Sequence, residues 1–515
     1  MGGHERGYLL TNAHIPTVGN ADAVLVNGRH IRWVGRGSER PSWIARIREV
    51  DLAGRTLLPG FTDCHTHFLH QGLCALGLRT ELAGLGRDET LFRLEAVAAA
   101  APRGLWVVGV GWDESAWDPP TPLSRGDLDR IAPGMALAAF RVDGHKVVVN
   151  RVGLERLPAS VSTPAVQHEQ GVLLERAAFD LSRATLPPRP VAAEALEAGI
   201  DGALALGVTS THAMASREEV PAYFAARLAG RLRITVYAEV ALLKELESLG
   251  IRSGFGDSWL RFGGVKLFAD GSIGAGNAAV GEPFLDGSGA GRTNYRDEEL
   301  VRFLERAESA GLQTAIHAIG DRAIEQVLSA HERVGTSPLL RHRIEHFELP
   351  REDHLDRVAK LGLCLSMQPN FTGRWSGPNS MYERKLGAGR DRRSNPHRLA
   401  LERGIPLAFG SDSMPMGPLY GIRCLLEAPY PDQRLPLAEA IAGYTEAGGR
   451  IAVNEPPRGR IAEGELADLI IFDHDPFAED AASEVAGAAV TIVDGCVAFR
   501  DPACGELLPD LPRGV

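Results

Sequence analysis

The chain has 515 residues and a net charge of −11 at pH 7, from 55 basic and 66 acidic residues. Hydrophobic residues make up 44% and charged residues 23%, which is typical of a globular protein that buries a core without disulfides. The acidic balance argues against a nucleic acid or an anionic membrane as partner, because both require a basic face. We find no signal peptide and no apolar run of the about 18 residues that span a membrane. The 6 cysteines form no CxxC pair, so we expect a cytoplasmic protein with reduced thiols.

The two ends of the chain have a similar texture. Residues 1–56 carry short β-type runs separated by Gly and Asn, and residues 451–515 contain ADLIIFD, AVTIVDG and CVAFR. Such runs predict small antiparallel strands joined by turns. We expect one small β-sandwich domain built from both termini, with two unrelated edge hairpins as the alternative.

The middle of the chain, residues 57–450, alternates apolar strands with amphipathic helices. This pattern predicts βα units and a parallel sheet. The strand candidates are LLPGFTD, GVTSTH, RITVYAEV, FGGVKLF, LQTAIHA, HRIEHFE, GLCLSMQ and IPLAFGSD. Together they fit an α/β fold of the (β/α)8 TIM-barrel type, with a doubly wound open sheet as the alternative. Residues 70–195 interrupt the pattern after the first strand, and we expect this large insertion to fold over the active site.

Ionisable side chains stand at the ends of these apolar strands. They are His65, His67, Lys266, His317, His346 and Asp412. His65 and His67 are two residues apart, so on a strand both imidazoles point the same way. Any one of the six could be a hydrogen-bonded residue that closes a strand. Taken together, they reach the end of the barrel where active sites form, and imidazoles with a carboxylate suit Zn, Fe(II), Mn or Co.

The ordered motifs resemble the metal-dependent amidohydrolase superfamily, and within it amidohydrolase family 3, which includes YtcJ-like proteins and N-substituted formamide deformylases. The resemblance covers nearly the whole chain and is carried by LLPGFTDCHTH, GWDESAW, RVDGHKVVVN, GVTSTHAM, VKLFADGSIGAG, IHAIGDRAI, RIEHFEL, AFGSDSMP and GELADLIIFDHDPF. It implies a metal site made of the six residues named above. Lys266 matches a lysine that is carboxylated in binuclear members and bridges two metals. The alternative is an unmodified Lys266 beside a single metal.

The resemblance also implies an enzyme, a hydrolase of the C–N bond in a small non-peptide amide. We expect one or two divalent metals per chain, zinc first, with iron or manganese as alternatives. The metal would activate water, and Asp412 would carry the proton to the leaving amine. A cyclic amidohydrolase or a deaminase on the same scaffold is the alternative, although HAIGDRAIEQ lacks a clear acid where a deaminase places one. A phosphoesterase and a non-catalytic binding barrel are less favoured. A homodimer is the default oligomer.

Three residues are candidate substrate contacts. His145 belongs to the DGH of the family pattern, and Trp112 lies in the Trp-rich part of the insertion. For each, a packed structural side chain is an equal alternative. Phe371 stands where relatives often carry the histidine of QPxH, which predicts a less polar pocket and a substrate with an apolar or aromatic group. Glu345 precedes His346 and should point away from the metals, because neighbouring strand residues face opposite ways.

Overall fold

The computed structural model describes residues 7–44, 47–114, 117–142, 146–159, 161, 166–174, 176–228, 230–478, 487–504 and 511–512. These residues form two compact units. The first runs to His67 and includes Asp201–Arg217 and the chain from Leu228 onward, and the second comprises Phe68–Ile200 and Glu218–Arg227. Within the described ranges, no helix combines the length and the apolar character needed to cross a bilayer.

The N-terminal part of the first unit is a sheet of four strands in the order β3-β2-β1-β4. They are β1 (Tyr8–Thr11), β2 (Ala23–Asn27), β3 (His30–Gly35) and β4 (Arg48–Asp51). Two strands follow, β5 (Thr56–Pro59) and β6 (Phe61–Thr66). Gly60 separates them, and a Cβ at this position would lie 2.3 Å from Thr209 Oγ1. A glycine is therefore needed where the chain passes from the small sheet into the barrel.

The second unit is built on a mixed six-stranded sheet in the order β11-β12-β10-β9-β8-β7. Its strands are β7 (Arg79–Glu81), β8 (Trp106–Trp112), β9 (Ala136–Arg141), β10 (Lys146–Val149), β11 (Val166–Gln167) and β12 (Val172–Leu174). Its helices are α1 (Phe68–Ala75), α2 (Arg87–Ala100), α3 (Arg125–Ile131), α4 (Arg151–Glu155), α5 (Arg176–Ala184), α6 (Arg189–Ala205), which continues into the first unit, and α7 (Val220–Tyr223). This unit corresponds to the predicted insertion at 70–195, and its position over the active site stays a prediction.

The centre of the first unit is an eight-stranded sheet whose strands follow chain order and pair in parallel. After β6 come β13 (Val208–Ala215), β14 (Arg233–Glu239), β15 (Leu260–Phe268), β16 (Gln313–Ala318), β17 (Arg343–His346), β18 (Cys364–Met367) and β19 (Leu407–Phe409). Each overlaps one of the predicted apolar runs. The first and last strands meet where Asp412 N donates to His65 O at 2.7 Å. The (β/α)8 barrel is confirmed over the open sheet.

Helices follow the barrel strands, and several of them pack on these strands. They are α8 (Leu243–Leu249), α9 (Asp297–Ala310), α10 (Asp321–Val334), α11 (Glu352–Leu361), α12 (Pro369–Trp375), α13 (Met381–Leu386), α14 (Ala388–Arg393), α15 (His397–Glu402), α16 (Pro418–Leu426), α17 (Leu437–Gly443) and α18 (Glu446–Ile451). In α9 the buried residues Leu300, Leu304 and Ala307 recur at helical spacing. Gly311 ends this helix in the left-handed region, at φ 67°, which glycine adopts without steric cost.

The C-terminal strands complete the small β domain. β20 (Leu469–Phe472), β21 (Val490–Val493) and β22 (Cys496–Arg500) form an antiparallel sheet with β5. One hydrophobic cluster joins residues of both small sheets, including Leu10, Val24, Leu57, Ile471 and Val490. The sandwich formed by both termini is confirmed, and β5 belongs to its second sheet through pairing with β20.

Candidate metal centre

The six predicted ligand residues lie at the carboxyl ends of the barrel strands. Four belong to strands, His65 to β6, Lys266 to β15, His317 to β16 and His346 to β17. His67 follows β6, and Asp412 follows β19. The parallel register sets Phe268 beside His317 and Ala318 beside His346. One edge of the sheet therefore carries the whole set, as expected of a barrel active site.

The side chains of these residues converge. His65 Nε2 is 3.4 Å from Lys266 Nζ and 3.6 Å from Asp412 Oδ1. His67 Nε2 lies 3.1 Å from the same Oδ1. The ring centroid of His346 is 4.9 Å from that of His65 and 4.4 Å from that of His317. Ligands at about 2.0–2.1 Å from a tetrahedral zinc lie about 3.4 Å from one another, so these separations suit atoms that face one ion or an adjacent pair.

Two polar atoms in this cluster test whether a metal fits. Within the part of the chain that the structure describes, His346 Nδ1 and Asp412 Oδ1 are buried and make no hydrogen bond of good geometry. An unsatisfied buried polar atom costs about 1–3 kcal/mol. Donor atoms of His65, His346 and Asp412 all lie within 4.8 Å of one another. A divalent cation would use both lone pairs, so the residues present fit a metal.

Burial prepares the imidazoles as ligands. It holds the pKa of His65 and of His346 well below the usual 6.5, and it lowers the pKa of His317 to about 4. The rings are therefore neutral near pH 7, which is the state that binds metal. His317 Nε2 donates to Gly271 O at 3.0 Å, so the lone pair that this ring could offer a metal lies on Nδ1.

Lys266 and Asp412 are also shifted by their surroundings. Burial lowers the pKa of Lys266 from 10.5 to about 8. Burial would raise the pKa of Asp412, but the neighbouring His65, His67 and Lys266 outweigh it and lower that pKa to about 2. Asp412 is therefore a carboxylate near neutral pH, while Lys266 has an accessible neutral amine form.

Two of the predicted ligands, His346 and Asp412, lie in turns with left-handed backbone conformations. His346 and Phe347 have φ values of 71° and 52°, and Asp412 and Ser413 have φ values of 51° and 60°. Non-glycine residues rarely adopt the left-handed region, and such conformations cluster at functional sites. Ser413 Oγ in turn accepts from His67 N at 2.9 Å. The turns after β17 and β19 thus bring His346 and Asp412 into the cluster.

Two buried acids that the sequence did not single out as functional support His65. Asp63 accepts from Ser411 N at 2.9 Å, from Ser411 Oγ at 2.6 Å and from His65 N at 3.2 Å. Glu345 was predicted to point away from the metals, yet its Oε2 lies 2.6 Å from His65 Nδ1, a predicted ligand residue. The TDCHTH motif places Asp63 two residues before His65 on the same strand, and this spacing could have indicated that the two residues lie on one side of the strand. No local signal connects Glu345 with His65.

The three predicted substrate contacts have different outcomes. Phe371 lies at the site, stacked on His346 with ring centroids 5.9 Å apart and an interplanar angle of 9°. Trp112 is fully buried in the core of the second unit, where its Nε1 donates to Ala139 O at 2.9 Å. No surface of Trp112 is open to a ligand in this conformation, so its predicted contact with substrate has no support in the geometry. His145 lies outside the described residues.

Two apolar side chains that were not predicted are exposed beside the ligands. Phe268 follows Lys266 by two residues and is 40% exposed, and Met414 follows Asp412 by two residues and is 39% exposed. The Phe268 ring lies 5.6 Å from the His317 ring, and Lys266 Nζ is 4.9 Å from its centroid. The Phe268 ring is therefore placed where an apolar group of a substrate could rest.

A second group of possible ligands, in the second unit, is less suited to a cation. His70 Nε2 lies 2.5 Å from Glu81 Oε1 and 3.7 Å from Cys74 Sγ. Arg79 Nη1 is 3.3 Å from the other ring nitrogen of His70. A guanidinium at this distance repels a dication and binds the lone pair of Nδ1, which holds the proton on Nε2. None of the six predicted ligand residues lines a cavity of about 480 Å³ in the first unit, whose lining includes Leu419, Tyr420 and Arg423 of α16.

Comparisons with known proteins agree with this picture. The sequence model described as "Amidohydrolase family" matches residues 48–499. The protein YtcJ of Bacillus subtilis (strain 168) is 30% identical over 490 residues, which cover 88% of this chain and 90% of YtcJ. N-substituted formamide deformylase of Arthrobacter pascens is 26% identical over 548 residues, 96% of this chain and 98% of that protein. A solved structure of an uncharacterized metal-dependent hydrolase from Pyrococcus furiosus is 27% identical, with a TM-score of 0.78, over 92% of this chain and 100% of the other.

Proposed function

The chain belongs to the amidohydrolase family and is a hydrolase of amide-type bonds, and from this premise we propose that it cleaves the C–N bond of a small non-peptide amide with Asp412 as the proton carrier. The observation that carries the proposal is the convergence of four imidazoles, Lys266 and an ionised Asp412 at the carboxyl ends of the barrel strands. This donor set suits zinc, with iron or manganese as alternatives.

The residues divide into two groups that could each hold an ion. His65, His67 and Asp412 form one, and His317 and His346 form the other. Lys266, with Nζ 3.4 Å from His65 Nε2, could join them after reaction of its neutral amine with CO2. The resulting carbamate is an anion, whereas an ammonium group would repel a cation. When bound, the metal supplies a water whose pKa is lowered to about 7 and an electrophile for the substrate carbonyl oxygen.

Asp412 is placed to move the proton. As a carboxylate it accepts the proton of the attacking water, and as the resulting acid it gives the proton to the leaving amine. A protonated carboxyl group is a stronger acid than an alkylammonium ion, so the second transfer to a basic amine is downhill. Ser413 Oγ and the turn at Asp412 hold the carboxylate beside His67.

The substrate that fits best is a linear N-acyl or N-formyl amine with an apolar or aromatic group. Support comes from Phe371 against His346, from the exposed Phe268 and Met414, and from the relative whose name is N-substituted formamide deformylase. Cyclic amides and deaminase substrates are the alternatives, and they belong in the same activity screen.

The test uses purified protein loaded with Zn²⁺ and a panel of N-formyl amines, N-acyl amines, cyclic amides and aminated heterocycles. We expect linear amides to be hydrolysed and Asp412→Asn to lower kcat by about 10²–10⁴-fold. Asp353→Asn, at an acid that is 54% exposed on α11, is the matched control and should keep wild-type turnover. Near wild-type turnover in Asp412→Asn would refute the proton-carrier role.

Metal content separates the two forms of the site. Plasma mass spectrometry of desalted protein should give about two equivalents if Lys266 is carboxylated and about one if it is not. Growth with ¹³C-labelled bicarbonate should then give a carbamate ¹³C signal that Lys266→Met removes. Absence of any bound metal, even after Zn²⁺ is added back, would contradict the proposed function as a whole.

A further inference from the structure

A buried carboxylate stands behind the first of the proposed metal ligands. Glu345 is fully buried on β17, and its Oε2 lies 2.6 Å from His65 Nδ1. The opposite nitrogen of the same ring, Nε2, faces Lys266 Nζ at 3.4 Å and Asp412 Oδ1 at 3.6 Å. Of the two ring nitrogens of His65, Nδ1 therefore points to Glu345 and Nε2 points to the ligand cluster.

Arg343 holds this carboxylate in place from the same strand. Its Nε and Nη2 donate to the two oxygens of Glu345 at 2.5 and 2.8 Å. Nη2 also donates to Cys64 O at 2.6 Å, and Nη1 donates to His212 Nδ1 at 2.9 Å. Arg343 is fully buried, and its guanidinium carbon lies 4.7 Å from the centroid of the Tyr237 ring. Because each of its nitrogens has a partner, Arg343 cannot swing away without leaving buried donors unpaired.

The contacts fix the state of the His65 ring. A carboxylate that already accepts from Arg343 has only lone pairs to offer, so an approach of 2.6 Å requires the proton on His65 Nδ1. The lone pair then lies on Nε2, towards the ligand cluster. A flipped ring would set a C–H group against the carboxylate and lose this bond.

We propose that Glu345 is a positioning residue for His65, and that it fixes the ring orientation and the tautomer in which Nε2 binds the metal, while Arg343 fixes Glu345. This rests on the proposed function, because it takes His65 as a ligand. Carboxylates that bond the second nitrogen of a ligating histidine typically contribute 10–100-fold to metal affinity or activity. Glu345 therefore belongs to the metal site although it contacts no metal itself.

The test compares Zn²⁺ affinity, measured by competition with a chromophoric chelator, in matched variants. In Glu345→Gln an amide nitrogen, which cannot accept a hydrogen bond, replaces one carboxylate oxygen. This nitrogen would face a donor of Arg343 or of His65, so the variant loses one of these hydrogen bonds. Glu345→Asp keeps the charge beside Arg343 but withdraws the carboxylate from His65, so it separates positioning from folding. Glu308→Gln is the control, because Glu308 Oε2 accepts from His342 Nε2 at 2.9 Å in a second histidine–carboxylate pair. We expect about 10–100-fold weaker Zn²⁺ binding in both Glu345 variants and no change in the control.

A second readout reports the tautomer directly. In ¹⁵N-histidine-labelled protein, the His65 Nδ1–H should give a proton signal downfield of the amides, assigned by its loss in His65→Asn. The signal should disappear in Glu345→Asp and persist in Glu308→Gln. Because it is first observed in wild-type protein, it tests the proposal even if a variant does not fold.

The outcomes separate the two proposals. If wild-type protein binds Zn²⁺ and Glu345→Asp binds it equally well, or if wild-type His65 carries its proton on Nε2, the positioning role is wrong and the metal site stands. If wild-type protein binds no Zn²⁺ at all, both proposals fall.

Discussion

Gly410 sets how closely the last barrel strand approaches the first. A Cβ on Gly410 would lie 2.3 Å from the backbone nitrogen of His65 and 2.7 Å from His65 Cβ, whereas ordinary contact begins at 3.4 Å. Gly410→Ala must therefore push β19 and β6 apart by about 1 Å, since the obstructing atoms are mostly backbone. The bond from Asp412 N to His65 O, at 2.7 Å, lies at the same point and would lengthen with them.

The expected effect follows from that displacement. Overpacking of a rigid contact costs about 1–3 kcal/mol of stability. The distance from His65 Nε2 to Asp412 Oδ1 is 3.6 Å, close to the separation of about 3.4 Å between two ligands of one zinc ion, and an increase of about 1 Å would take it to about 4.6 Å. We therefore expect at least about 10-fold weaker Zn²⁺ binding and, because misplacement by about 1 Å can cost 10²-fold in rate, about 100-fold lower turnover.

Chelator competition gives the affinity, urea unfolding gives the stability, and the amide that the wild type hydrolyses gives the turnover. The control is Gly449→Ala in α18, where no atom lies within 4 Å of the added Cβ. This change should leave Zn²⁺ affinity intact and favour the helix by up to about 1 kcal/mol. If Gly410→Ala kept wild-type affinity and turnover within twofold, the close approach of the strands would not be what sets the ligand spacing.

Two further predictions concern stability. Arg233→Met removes the cation of a buried pair in which Arg233 Nε lies 2.9 Å from Asp468 Oδ2, so it should lower the free energy of unfolding in urea by about 3–5 kcal/mol. Arg231→Met, at an exposed pair with Asp201, should lower it by no more than about 1 kcal/mol, and equal losses in the two variants would refute the reasoning. Burial holds the pKa of His331 well below 6.5 in the folded protein. Below pH 6.5 the unfolded chain therefore binds a proton at His331 that the folded chain does not bind, and the free energy of unfolding decreases as the pH is lowered. In metal-free protein, His331→Gln should reduce that loss by up to about 1.4 kcal/mol per pH unit between pH 6.5 and 5, and an unchanged slope would contradict it.

Much of the fold could be predicted because it is encoded in local patterns. Parallel strands that are buried on both faces appear as continuous apolar runs, and β6, with all six residues from Phe61 to Thr66 buried, is an example. The amphipathic helices between the strands show the helical period directly. The second unit was recognised only as an interruption, because its sheet mixes parallel and antiparallel pairs and follows no simple repeat.

The sequence predicted which residues converge at the barrel end, and the role of these residues as metal ligands stays a prediction. Side chains at the carboxyl ends of barrel strands converge, so a list of ionisable strand-end residues was enough to assemble His65, His67, Lys266, His317, His346 and Asp412. Trp112 shows the limit of such reasoning. A tryptophan in a distinctive motif was as compatible with a pocket wall as with a packed core, and the structure places it in the core of the second unit.

The sequence by itself determined the eight strands, the sandwich of both termini and the residues that meet at the barrel end, because strand period, burial and strand direction are local properties. Only the tertiary structure decided how those residues are held. The contact of Glu345 with His65 joins positions 280 residues apart, and the approach of Gly410 to His65 depends on where the eighth strand meets the first. Such contacts are set to fractions of an ångström by register and barrel closure, which are properties of the whole packed sheet and of no single segment.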